Sequence, residues 1–413
     1  MSGGDTAWVL GSAALVLFMT PGLALFYGGM VRAKHVLGMI MQSFTCIGVV
    51  SVLWVLIGFS LAFGPDAGGG VIGDLSMVGL RHIGAGVPGF HLTIPPLAFV
   101  AFQMMFAIIT AALITGATAD RLRFPAFALF IAVWSLVVYA PIAHWSFSPG
   151  GWLYHRGVLD FAGGTVVEIN SGFSALAAAV VVGRRRGWPE LMSPHSLPLT
   201  MMGAGILWFG WFGFNAGSAL GANGVAAQAF MDTQLAAAAG LMGWVAVERV
   251  RGGHATTLGA ASGAVAGMVA ITPCAGFVGT LPSIAIGLAA GVICVLAVQA
   301  KFRLGYDDSL DVLAVHGVGG LVGMLLLGVF AAAAINPGGH DGLASGGGLH
   351  LLGQQSLAAV VSMAYAFGAT YAIGRGVNMV MRLRVSPAEE EEGLDTTQHS
   401  ETAYSGVTYG RIM

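Results

Sequence analysis

Apolar residues in this chain run on in blocks of about 20, the length at which a helix crosses a bilayer core about 30 Å thick. Breaks marked by charge or by Gly/Pro turns delimit eleven blocks: 8 to 31, 37 to 62, 94 to 118, 124 to 143, 163 to 183, 198 to 218, 226 to 247, 256 to 273, 282 to 300, 309 to 332 and 353 to 378. The pattern predicts an all-α membrane protein of eleven transmembrane helices. The first block follows only Met1 to Thr6, with Asp5 and no Lys or Arg before it. It lacks the basic start of a cleaved leader and reads as a true span.

Composition agrees. Of 413 residues, 56% are hydrophobic and 9% charged, against about 25% charged in soluble domains. Glycine supplies 64 residues without a third-residue repeat, which excludes a collagen-like chain. A net charge of -2 leaves no basic field for nucleic acid. Cys46, Cys274 and Cys294 all lie in apolar stretches and supply no disulfide framework.

Basic residues set the expected orientation, because Lys and Arg gather in cytoplasmic loops. Arg32, Lys34, Arg121, Arg123, Arg184 to Arg186, Arg249, Arg251, Lys301, Arg303, Arg375, Arg382, Arg384 and Arg411 all follow odd-numbered spans, whereas Arg81 and Arg156 alone fall in the alternate loops. Fifteen against two places the N-terminus outside and the C-terminus in the cytoplasm. The long outer loop at 64–93 and another at 337–348 are glycine-rich, and polar composition returns only after Arg384. The chain therefore divides into a transmembrane domain, 1–384, and a cytoplasmic tail, 385–413.

Ionisable groups at membrane depth are costly, and they line an aqueous path or pair with one another. Glu168 in GGTVVEINSGF and His316 in DVLAVHGVGG are two such groups, and each follows an aspartate, Asp160 and Asp308, by eight residues. The match suggests two five-span halves of opposite direction around a midplane site, plus one helix. The plainer reading makes His316 a core histidine and Glu168 a buried neutral carboxyl that holds helices together. Asp160 begins its span, where N-capping is the favoured role. Phe102 and Phe106 stand at i and i+4, while Trp211, Phe214 and Ser218 follow an i, i+3, i+7 pattern, so each set shares a helix face. Ring faces attract cations, although ordinary packing explains the same spacing. Small residues in GAASGAVAG and GLAAGV let helices approach closely.

Taken together, ALFYGGMVR, FQMMFAIIT, DFAGGTVV, WFGFNAGS and DVLAVHGVGG, in this order across nearly the whole chain, resemble the ammonium transporter, methylammonium permease and Rhesus protein family. The resemblance implies a homotrimer embedded in membrane lipid, with a pore in each protomer between the two halves, in a plasma membrane such as the bacterial inner membrane. It implies an outer ammonium recruitment site at Phe102, Phe106 and Ser218, where the family's tryptophan is replaced by Phe147 or Ser148. Phe106 and Phe214 match paired rings that close the entrance, Asp160 matches a structural support, and Trp211 lies near the pore. The family's two central histidines become Glu168 and His316 here; fungal members also carry an acidic residue at the first position. No cofactor or metal is implied.

A neutral acid beside a neutral imidazole could relay a proton, whereas an ion pair could hold the pore shut. The segment AEEEEGLDTTQHSETAY resembles the family tail that docks PII signalling proteins, with Glu391, Glu392, Gly393, Leu394, Asp395, His399, Glu401 and Tyr404 as the match. By composition alone the four glutamates read as a solvated end. The leading expectation is ammonium or ammonia transport. A sensor that passes little solute and signals through a PII-type partner is the alternative. An intramembrane hydrolase using Ser262 with His316 is disfavoured, since small residues around a serine are ordinary packing and no HExxH occurs.

Overall fold

The computed structural model describes residues 1–190 and 192–404; Arg411 and the rest of the tail to 413 lie outside the described residues. Its helices follow the apolar blocks one for one: α1 Gly3–Met30, α2 Ala33–Phe63, α3 Pro96–Thr118, α4 Phe124–His155, α5 Gly164–Val182, α6 Leu197–Gly217, α7 Gly224–Gly252, α8 Thr257–Ile271, α9 Thr280–Leu304, α10 Leu313–Phe330 and α11 His350–Val380. Ten are long and apolar enough to cross a bilayer, and α8 is a shorter apolar helix. No strand occurs among the described residues.

Helices five apart in the chain pack in pairs, α1 on α6 and α5 on α10, as related halves require. Close approach rests on glycine. A Cβ on Gly203 of α6 would lie 2.2 Å from the Phe26 backbone nitrogen of α1, so no larger side chain fits there. The small-residue runs noted in the sequence act in the same way, since a Cβ on Gly267 of α8 would lie 2.1 Å from the Ala236 carbonyl of α7.

The two ends of the bundle differ. At the N-terminal face the Ser2 N–H donates to the Thr93 carbonyl at 2.7 Å, pinning α1 to the end of the 64–93 loop. The opposite face gathers the arginines. There Arg185 pairs with Asp307 at 2.8 Å and the Arg123 N–H donates to Leu383 at 2.7 Å, tying distant loops together.

The tail folds back on this arginine-rich face as two short helices, α12 Pro387–Glu392 and α13 Leu394–His399. Its glutamates are not all solvated. Glu390 is buried and accepts from the Arg186 N–H and the Arg384 guanidinium, each at 2.7 Å. Asp395 accepts from the Gly38 N–H at 2.9 Å, and the Leu394 N–H donates to His35 Nδ1 at 3.2 Å. Burial pushes the Asp395 carboxyl above the usual carboxylate range, and backbone donors from Gly38 and Leu37 oppose that shift. Tyr404 OH meets His195 Nε2 at 2.8 Å, and the His399 ring stands edge-on to Phe124.

Gly393 is the hinge of this docking. Its φ of +121° is one that side-chain-bearing residues rarely adopt, and a Cβ there would lie 2.7 Å from the Lys34 carbonyl. Forcing a branched residue into such a conformation costs about 1–3 kcal/mol. Gly393→Val is therefore expected to release the tail while leaving the membrane domain folded, read as faster limited proteolysis within 385–404. An unchanged cleavage rate would contradict this assignment.

Candidate functional site

Asp160 organises the start of α5. Its carboxylate accepts from the backbone N–H of Gly163 at 2.9 Å and of Thr165 at 2.8 Å, and also from the Gly164 N–H and the Thr165 hydroxyl. These are donors that a helix start leaves unpaired. The first segment that follows, Gly164–Ile169, is wound as a π-helix and carries Glu168. The other half repeats the device: the Leu313 N–H donates to Asp308 Oδ2 at 2.7 Å, and the π-helical segment Leu313–Val318 carries His316. Wide turns of this kind re-aim side chains and concentrate at functional sites.

Glycine then brings the two segments together. A Cβ on Gly172 would lie 2.2 Å from the Gly317 nitrogen, and one on Gly320 would lie 2.7 Å from the Glu168 Cβ. With the backbones this close, His316 Nδ1 and Glu168 Oε2 stand 2.7 Å apart, and both side chains are buried. Glu168 Oε1 has no hydrogen-bond partner among the described residues.

The pair borders a cavity of about 10 Å³, room for a single water-sized molecule. Its other walls are apolar: Met19, Leu23, Phe26, Ile109, Leu113, Val167, Leu207, Trp211, Phe214 and Val265. Trp211 spends its indole N–H on Thr272 Oγ1 at 2.9 Å. Glu168 and His316 are thus the only ionisable groups among the described residues of this lining. Ser262 is not part of that wall.

Toward the N-terminal face the cavity ends at Phe214, whose ring stacks on that of Phe106 with centroids 4.2 Å apart and planes 27° apart. Beyond them opens a vestibule of about 370 Å³, whose walls include Phe63, Phe99, Gln103, Ser146, Phe147, Tyr154, Asp160, Phe161, Ser218 and His340. Ser218 sits one turn outward of Phe214 and donates its hydroxyl proton to the Phe214 carbonyl at 2.8 Å. Its oxygen lone pairs are left to accept.

Of the residues matched to recruitment, Phe147 and Ser218 line the vestibule. Phe102 does not. It is fully buried behind Phe106, edge-on at 4.9 Å, because its ring fills the space beside Gly217. Ser148 is buried in a turn within α4, just past its Ala140–Phe147 segment, where its hydroxyl accepts from the Gly150 N–H at 3.3 Å. The sequence reading passed over Gln103, although Phe99, Gln103 and Phe106 share a face at i, i+4 and i+7.

At the arginine-rich face a pocket of about 120 Å³ lies between Met30, Arg185, Trp188, Lys301, Phe302 and Asp311, with Lys301 paired to Asp311. Of the tail residues matched to partner docking, Glu391, Glu392, Glu401 and Tyr404 are exposed, and His399 is half-buried. Gly393, Leu394 and Asp395 are buried against the chain's own membrane domain.

The model of the Ammonium Transporter Family matches residues 7–404. The chain is 51% identical to an ammonium transporter of Mycobacterium tuberculosis over 442 aligned residues, covering 100% of this chain and 92% of that one. Among solved structures, Mep2 of Saccharomyces cerevisiae superposes with a TM-score of 0.87 at 35% identity, covering 94% of this chain and 91% of that one. A protein described as a sensor Amt protein matches with a TM-score of 0.87 at 30% identity, covering 96% and 98%. With eleven apolar helices among the described residues and a narrow cavity bordered by a Glu–His pair, this chain belongs to the ammonium transporter family.

Proposed function

We propose that the chain carries ammonium nitrogen across a plasma membrane as ammonia, while the proton takes a separate route through Glu168 and His316. The Glu168–His316 contact of 2.7 Å at the wall of an otherwise apolar cavity carries this reading. The arginine distribution supports a vestibule facing outward and a tail in the cytoplasm. A homotrimer in a bacterial inner membrane, implied by the family resemblance, completes the proposal.

Electrostatics selects the mechanism. An isolated charge moved into an apolar interior costs tens of kcal/mol, whereas the neutral molecule loses only its hydrogen bonds. Ammonium is held in the vestibule by the ring face of Phe147 and the Ser218 oxygen, over the Phe106–Phe214 stack. An N–H bond then breaks with its electron pair left on nitrogen. Ammonia passes the Phe106–Phe214 stack into the narrow lumen. The released proton moves by way of Glu168 and His316 and rejoins ammonia on the far side, so charge and nitrogen balance.

The pair suits a relay because the short bond has two forms, either His316 Nδ1–H donating to a carboxylate or a carboxylic acid donating to Nδ1. Interconversion moves one proton across the contact. Glu168 Oε1, without a partner of its own, is free to receive the next. Asp160 holds the π-helical start in place and is fully occupied by backbone and Thr165 donors, which fits a supporting role.

Ammonium-driven current in reconstituted liposomes tests the relay. The Glu168→Gln, His316→Ala double variant is expected to lose most of the wild-type current; equal current in both would contradict the route. The likeness to a sensor Amt protein, together with the docked tail, favours a second reading in which ammonium binds and little crosses. Under that reading the wild type binds ammonium in calorimetry and gives no current.

The tail supports a PII-type partner that meets Glu391, Glu392, Glu401 and Tyr404 at the cytoplasmic face and blocks the exit. A pull-down with a PII-type trimer is expected to succeed with the full chain and fail after deletion from Arg384 onward. Undiminished capture after deletion would refute the partner site.

A further inference from the structure

Of the described residues lining the vestibule, Gln103 alone has a buried side-chain oxygen without a hydrogen-bond partner. The residue is only 8% exposed. Buried polar atoms are almost always satisfied, and an orphan asks for a ligand. Its neighbours are already engaged. The Asp160 carboxylate is taken up by four donors, and the Ser146 and Thr165 hydroxyls bond to each other at 2.9 Å.

Position gives the orphan a purpose. Gln103 lies three residues before Phe106 on α3, and Ser218, the cap that ends α6, lies four residues after Phe214. Each therefore stands one turn outward of one ring of the stacked pair. A cation over these rings has an acceptor on either side. Ring faces satisfy its charge but leave N–H donors unpaired, and ammonium has four. The terminal amide torsion is broad and two-fold, so the oxygen can turn to the vestibule at little cost.

We infer that Gln103 is a substrate-binding residue whose amide oxygen accepts an N–H from ammonium held over the Phe106–Phe214 pair, opposite Ser218. This deepens the recruitment step proposed above and rests on it. The group selects for cations that donate hydrogen bonds, which the aromatic faces alone cannot do. It acts on capture and not on passage, because it lies on the far side of the stacked rings from the narrow cavity.

Solid-supported-membrane electrophysiology on the reconstituted full chain separates the outcomes. Gln103→Met keeps the side-chain length and removes the acceptor; Gln103→Glu keeps an acceptor. Gln103→Met is expected to raise the half-saturating ammonium concentration by about tenfold or more, the loss of one hydrogen bond to a charged group, with maximal current within about twofold of wild type. Gln103→Glu is expected to restore half-saturation to within about threefold. If Ser218→Ala raises half-saturation and neither Gln103 variant does, the role of Gln103 is overturned while the recruitment reading stands. Unchanged half-saturation in all three variants overturns the recruitment reading itself. Collapse of maximal current in both Gln103 variants identifies a packing role and overturns the proposal.

Discussion

A charged group cannot rest in a dry, narrow space at membrane depth without a partner, and the contact between Glu168 and His316 answers that constraint. Much of the surrounding architecture serves to make the contact possible. Two aspartates fix the starts of α5 and α10, two π-helical segments turn the side chains inward, and glycines let the backbones close to within reach. The stacked phenylalanines and the apolar walls leave the pair no other ionisable neighbour in the cavity lining. An acid and an imidazole left alone with each other in this way are the groups best suited to hold and pass a proton.

Much of the fold was legible in the chain because the bilayer imposes length and hydropathy so strongly. All eleven apolar blocks became helices, with ends displaced by a few residues except at α4, which runs twelve residues past its block. The eight-residue interval from aspartate to Glu168 and to His316 was also visible, and it marks the matching starts of α5 and α10. The π-helical winding was not visible, since an extra residue in a turn is set by tertiary contacts and leaves no period in the sequence. Phe102 illustrates a related limit. Its spacing from Phe106 is that of a shared face, yet its ring packs beside Gly217 and stays off the vestibule wall. Gln103 looked neutral in the chain because only the structure reveals that its oxygen is unpaired.

The tail departs furthest from composition. Four consecutive glutamates read as a solvated end, but Glu390 is buried between Arg186 and Arg384, and Asp395 is bonded to the start of the second helix. Charge that repels itself in isolation is stabilised here by an arginine-rich face built from several loops. The tail thus touches the starts of the second and fourth helices and the connection after the fifth. That placement gives a route by which whatever binds the tail can act on the membrane domain.

The central claim is that nitrogen and proton part company inside the protein. Simultaneous recording of charge moved and labelled nitrogen taken up by liposomes carrying Glu168→Gln tests it most directly. If the carboxyl carries the proton, the current falls further than the nitrogen uptake, and the charge-to-nitrogen ratio drops well below the wild-type value. A ratio that holds while both quantities fall together would mean that ammonium crosses intact, and the account would be wrong.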